Sequence, residues 1–366
     1  MVFNMCRKIY CLSAALLILM TAGGCKKESG ESQLSEPQTS AADQVTDTVE
    51  EEKTEGVTDT PAGINPLTGE SGYNEAANGK RPVAIMVNNL TGALPQYGIE
   101  QADVIYELPV EGGITRLMAV YADYTSVPDV CSVRSCRYYY PLICLGMDAI
   151  YCHWGEDMTI ALETLNRTEI DHLDGGYEKK MFYRDPERVG VYASEHTGYL
   201  KGAELPEVIA EKGFRTDIGE QYSGEMFDFT ESPEAPSGMT ASAVTLRFSS
   251  AYYSTFIYNP DTGEYLKQHS GKPHMDGRTG NQLGFDNVFV LQTDIHTRAD
   301  GYLMDVALDG GTGYYFSQGG GTQITWKKEG ETAPIKVYGA GGNELAVNVG
   351  ESYIGIIGTD KAVTVE

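Results

Sequence analysis

Beyond Gly238 the chain is a succession of short strand-like runs cut by glycine-bearing turns at intervals of about ten residues, with no helical period anywhere in that stretch. A segment of this texture can bury its apolar side chains only as sheet. Apolar runs at 288–293, 302–308, 314–317, 323–327, 335–338, 345–349 and 353–357 each read as a strand, and 255–258 and 264–268 flank Asn259-Pro260-Asp261-Thr262-Gly263. There proline presets φ and glycine takes the positive-φ position of a hairpin. The expectation is a β-rich C-terminal domain, a sheet or sandwich, over 239–360. The glycine tracts 309–313 and 319–321 lack the strand-to-helix context of a phosphate loop and read as hairpin turns.

Residues 64–232 have a different texture. The run 83–87, bounded by Pro82 and Asn88-Asn89, suits a strand buried on both faces, and 103–109 and 114–121 form a hairpin through Glu111-Gly112-Gly113. The apolar stretch 136–147 reads as a helix broken at Pro141, followed by a short strand over 149–153. Met158, Ala161, Leu162 and Leu165 fall at helical spacing, as do Leu205, Val208 and Ile209, with Pro206 in a first turn and Gly213 as the stop. Interleaved strands and helices predict a layered α/β domain. The fold class is therefore α+β: an N-terminal layered α/β domain over 64–232, then the β-rich domain, joined through the Pro-Ser-Gly stretch 233–238.

The N-terminus addresses the compartment. Arg7 and Lys8 precede an apolar run over 9–20, shorter than the ~20 residues of a spanning helix, and the small residues Ala22-Gly23-Gly24 lead to Cys25. This resembles a bacterial lipoprotein signal, in which residues 1–25 guide export and Cys25 is acylated, although Ala22 stands where leucine is preferred. The alternative is an ordinary secreted protein cut nearby. Residues 26–60 hold ten acids and three bases, and 26–63 contains no aromatic residue, so this segment reads as a disordered acidic tether. The formal net charge of −25 over 366 residues excludes a reader of nucleic-acid phosphates. The expected setting is the extracytoplasmic face of a bacterial membrane, with the lipid anchor as the membrane contact and a small molecule, an envelope polymer or a protein as the further partner.

Without the signal and the acylated Cys25, four cysteines remain: Cys131, Cys136, Cys144 and Cys152. Disulfides are allowed outside the cytoplasm, and buried thiols are the alternative. Cys136, Cys144, Cys152 and His153 lack the spacing of a zinc site, and Cys152 and His153, as strand neighbours, point to opposite faces. No metal and no cofactor is expected. GxSxG, SxxK, HExxH, GxGxxG and GxxxxGK[ST] are all absent from the sequence, as is the histidine–cysteine signature of cell-wall transpeptidases. Asp300, Asp305 and Asp309 do not have EF-hand spacing and read as solvated acids.

An ordered series of motifs carries a resemblance. Asn65-Pro66-Leu67-Thr68-Gly69, the stretch 81–89 (RPVAIMVNN), Gln101-Ala102-Asp103-Val104-Ile105-Tyr106-Glu107, Gly113-Ile114-Thr115-Arg116 and Val133-Arg134-Ser135-Cys136-Arg137, followed by 311–326 and 343–357, together resemble the YerB-like family of bacterial lipoproteins. The resemblance implies an N-terminal α/β domain and a β-rich C-terminal domain, both of unassigned function, and no catalytic mechanism.

The residues themselves single out a cluster of charge. Arg134 and Arg137, three apart at the entry to a helix, share a face and form a clamp for a carboxylate or phosphate, with Arg116 and Arg184 as further contributors. Alternatively the arginines pair with Glu107, Glu111 or Asp103 as buried ion pairs. The preferred reading is a non-enzymatic ligand-binding or scaffold protein with a polar pocket lined by Arg134, Arg137, Arg116, Arg184, Glu107 and Glu111. The competing reading is a hydrolase of envelope glycan or peptide with Glu107 or Glu111 as acid–base, and with His153 and His196 as weaker general-base candidates. A third is partner docking without a pocket. The C-terminal half would add a wall or a contact surface through Trp326, Tyr314 and Tyr315.

Overall fold

The computed structural model describes residues 63–222 and 226–366; the signal, Cys25 and nearly all of the 26–63 tether lie outside the described residues. Gly63, the last tether position, already pairs with Tyr73 in a short strand.

One sheet of eleven strands dominates the fold. In spatial order the strands are Met239–Thr240, Gly320–Lys327, Gly310–Ser317, Asn287–Thr293, Ser352–Gly358, Val104–Pro109, Thr115–Tyr121, Val83–Asn88, Ile150–His153 and His172–Asp174, with Lys336–Tyr338 paired to Gly320–Lys327. The seam between the two halves of the sequence is a parallel pair, Tyr353 opposite Ile105 and Gly355 opposite Glu107. The C-terminal strands thus continue the N-terminal sheet and do not close on themselves as a separate sandwich. The physical reason is legible in the seam strands, whose residues are all buried: neither could be left as an open edge.

Both faces of the sheet are covered. On one face Tyr140, Ile143 and Cys144 of the helix Tyr139–Gly146 and Ala161 and Leu165 of the helix Ile160–Thr168 join the buried cluster of Ala84, Met86, Tyr106, Met118 and Tyr151. On the other, Leu205, Val208 and Ile209 of the helix Leu205–Lys212 join Val83, Ile85, Val87 and Ile105. A second sheet, in the order Lys272–Pro273, Glu264–His269, Tyr253–Asn259, Ala243–Arg247 and Val363–Val365, adds Val244, Leu246, Phe256 and Tyr265 to that cluster. The protein is mostly sheet, with three short α-helices among the described residues.

Local chemistry accounts for several departures from the sequence reading. Pro141 sits in the first turn of its helix, where no backbone donor is needed, and does not break it. The second helix starts at Ile160 after Thr159, with Asp157 Oδ1 accepting from the backbone N–H of Ala161 at 3.2 Å; Met158 lies outside it and is 73% exposed. Gly310 to Gly313 lie inside a strand and not in a turn: a Cβ on Gly311 would stand 2.0 Å from Gln292 O, and one on Gly313 2.1 Å from Val290 O. Trp326 and Tyr315 are core residues at 1% and 2% exposure, the indole N–H donating to Gln292 O, so they form no contact surface.

Candidate functional site

The strands Val83–Asn88, Ile150–His153 and His172–Asp174 run parallel. Outside the carboxyl ends of parallel strands, diverging backbones leave a crevice with free peptide groups. Here the segment after Ser132 enters it. Val133 bridges to Val87, Arg134 N–H donates to Met86 O at 3.0 Å, and Trp154 N–H donates to Arg134 O at 3.0 Å. That wedge sets Arg134 beside Trp154. The strand Phe182–Arg184, antiparallel to Gly198–Leu200, brings the Arg184 guanidinium to 4.1 Å from the Trp154 ring centre, while its Nη1 donates to Ser194 O at 2.8 Å. Val133, Arg134, Trp154, Arg184, Ser194 and Glu195 line a cleft of about 250 Å³.

The aromatic wall is held firmly. A Cβ on Gly175 would meet the Trp154 ring at 2.5 Å and one on Gly198 at 3.1 Å, and Phe182 packs edge-on with centroids 5.9 Å apart. The cations are less constrained. Among the described residues no carboxylate lies within salt-bridge reach of Arg134 or Arg184, and the Arg134 side chain makes no hydrogen bond. Burial lowers the Arg134 pKa; Glu195 and Glu111 pull it back up, and repulsion from Arg137 and Arg184 adds to the lowering. An anion entering the cleft would relieve that repulsion.

The remaining sequence candidates separate into two sealed groups. Glu111 Oε1 accepts from Arg116 Nη2 at 3.2 Å and Oε2 from Arg137 Nε at 2.8 Å, with a further contact to Arg137 Nη2. Burial would raise the Glu111 carboxyl, but the two guanidiniums more than offset it and hold it low; Arg116 is pushed down to about 10 by burial and by Arg137. Glu107 lies elsewhere, between the two sheets, and is 1% exposed. Its Oε1 accepts from Asn89 and Thr115, its Oε2 from Ser254 at 2.8 Å and Tyr353 at 2.7 Å, and Lys267 Nζ stands 3.3 Å away. Lys267 in turn contacts His274, which reaches Gln96. Burial opposes ionisation of Glu107, but Lys267, His269 and the hydroxyl donors outweigh it and keep the carboxyl below its ordinary range. A carboxylate sealed on every side and held ionised is not placed to protonate a substrate.

The histidines and cysteines have structural partners. His196 Nδ1 contacts Asn88 Nδ2 at 2.9 Å, and His153 stacks on Tyr151 and His172 while its ring nitrogens meet Gly155 O and His172 Nδ1. Burial pushes His153 down to about 4. Cys131, Cys136, Cys144 and Cys152 are buried free thiols, with Cys131 and Cys136 pushed up to about 12 by burial. Asp305 is engaged by Tyr138 OH and Arg298, apart from any calcium loop.

The sequence alone did not single out Lys267, Asp174, Glu156 or Glu195. Lys267 had a signal: in the strand Glu264–His269, Tyr265 and His269 alternate onto the buried face, and Lys267 falls between them on the same face.

The fold is built on one sheet shared by two sequence segments, with a charged crevice at the carboxyl ends of its parallel strands. Residues 67–215 match the N-terminal domain, and residues 244–354 the C-terminal domain, of the family described as "Protein of unknown function (DUF3048)", and the chain belongs to that family. It is 25% identical over 296 residues to "Putative lipoprotein YerB" of Bacillus subtilis (strain 168), covering 80% of this chain and 85% of that protein. The crystal structure of YerB protein from Bacillus subtilis superposes with a TM-score of 0.71 at 24% identity, covering 82% of this chain and 99% of the solved one, a likeness of fold.

Proposed function

We propose that this protein is a lipid-anchored, extracytoplasmic binding protein that holds an anionic group, a carboxylate or a phosphate, between Arg134 and Arg184 against the face of Trp154. One observation carries the reading: two guanidiniums share an open cleft with no paired carboxylate, in a chain whose formal net charge is −25. Arg116 and Arg137, by contrast, are neutralised on Glu111. Arg184 presents a planar fork stacked on an aromatic ring and Arg134 a second fork from the side, an arrangement suited to bidentate recognition. The lining residues all come from the N-terminal segment; the C-terminal strands form the other half of the sheet, away from the cleft. A layered α/β half bearing the crevice, and anchoring through Cys25, which the lipoprotein name of the Bacillus relative supports, complete the reading.

Titration calorimetry with inorganic phosphate and with succinate tests it. The wild type should bind one of them at a single site, and Arg134→Ala should weaken binding roughly 10- to 150-fold, the value of one charge-assisted hydrogen-bond set of about 1.5–3 kcal/mol. Its melting temperature should stay near that of the wild type. Equal affinity in Arg134→Ala, or a large loss of thermal stability, would assign Arg134 to the scaffold.

A further inference from the structure

On the same strand ends, but turned to the opposite face of the sheet from Trp154, three potential metal ligands converge. His153 ends one parallel strand and Asp174 the next, and the register sets them directly opposite each other. Glu156, three residues on, returns its carboxylate so that His153 Nδ1 and Glu156 Oε2 stand 3.9 Å apart. One ligand atom from each of His153, Glu156 and Asp174 lies within 4.8 Å of the other two. We propose that these three residues bind one divalent transition-metal ion of the Zn²⁺ or Mn²⁺ class.

The surrounding groups suit that role. No Lys or Arg among the described residues is within salt-bridge reach of Glu156 or Asp174, so the two carboxylates face each other across the imidazole without a balancing cation. Asp174 is 7% exposed, and its Oδ1 accepts the backbone N–H groups of Gly155 and Gly176 at 2.8 Å each. Its Oδ2 accepts no hydrogen bond among the described residues and is free to coordinate. His153 Nε2 lies 2.9 Å from His172 Nδ1. With metal on Nδ1, Nε2–H donates to His172, the outer hydrogen bond that orients ligating histidines. The Nδ1 contact to Gly155 O is given up, and that carbonyl keeps the Cys136 N–H at 2.8 Å, so no buried acceptor is orphaned. Tetrahedral coordination at about 2.0–2.2 Å brings ligand atoms to roughly 3.3 Å from one another. Glu156, the most exposed of the three, would supply the contraction through its side chain, since its backbone is bridged to Cys136. One imidazole and two carboxylates form a set of intermediate hardness, which disfavours Ca²⁺ and copper(I) and leaves open positions for water.

The site does not depend on the arginine cleft. Titrating the full-length protein in detergent with Zn²⁺ by calorimetry, and separately with Mn²⁺ by electron paramagnetic resonance, should show a saturable class of one site above any weak binding to surface acids. Glu156→Gln should weaken that class at least tenfold without lowering the melting temperature, Asp174→Asn should remove it, and Arg134→Ala should leave it unchanged. Should Asp174→Asn fail to fold, Glu156→Gln decides alone. Absence of a saturable site for both ions, or wild-type affinity in Glu156→Gln, would overturn the assignment.

Discussion

Glu107 and Arg134 show how differently charged residues of the same motif series are used. Glu107 is enclosed by Asn89, Thr115, Ser254, Tyr353 and Lys267, and a pair so enclosed is costly to break because the surviving charge stays buried. Glu107→Gln should therefore destabilise the protein by about 3–5 kcal/mol at pH 7, read by chemical denaturation. The pH dependence has a definite sign. The folded carboxyl lies below its ordinary value of 4.5, so its stabilisation is fully present above that pH and is lost as the pH falls through the depressed value. The variant should lose less stability than the wild type on acidification below pH 4.5. An unchanged acid limb would show that Glu107 is not ionised in the native state. Arg134, by contrast, has no such enclosure, and its replacement is expected to be felt in binding and not in folding.

At the scale of elements, the strands and their turns were legible in the sequence because they rest on local rules. The hairpin closed by Gly263 at φ 84°, the helix stopped by Gly213 at φ 68° and the doubly buried strand Val83–Asn88 all stand where period and turn chemistry put them. Pairing between distant strands was not legible. Ser352–Gly358 lies beside Val104–Pro109 across about 240 residues of chain, and an apolar run announces burial without naming its neighbour. The candidate site was half legible for the same reason: Arg134 and Arg137 are three apart, yet the helix begins only at Tyr139, so the two side chains part company, one to the open cleft and one to Glu111. The shared seam also makes a prediction. Fragments 64–232 and 239–360, expressed separately, should each lack cooperative thermal unfolding, since each exposes one fully buried strand as an edge. Cooperative unfolding of either fragment alone would contradict the continuity of the sheet.

For the whole molecule, the acidic surplus is unevenly compensated. Around Glu351 it is left unrelieved: burial, and then Asp103, Glu70, Asp286 and Glu264, push this carboxyl up to about 9. A raised acid stabilises the fold below its unfolded value of 4.5, and that contribution is lost as the pH rises towards 9. Glu351→Gln should accordingly raise the melting temperature at pH 8 and leave it unchanged at pH 4. A lower melting temperature at pH 8 would show that the carboxylate is needed. The functional account rests on the Arg134–Arg184 cleft, where two guanidiniums share one opening without a salt-bridged carboxylate. A double-mutant cycle on Arg134→Ala and Arg184→Ala, read as phosphate or succinate affinity at low ionic strength, tests it most directly. Two forks on one anion predict that each single variant binds at least tenfold more weakly, that the double variant loses less than the product of the two effects, and that wild-type affinity falls with added salt. Wild-type affinity in both single variants, or no anion bound by the wild type, would contradict it.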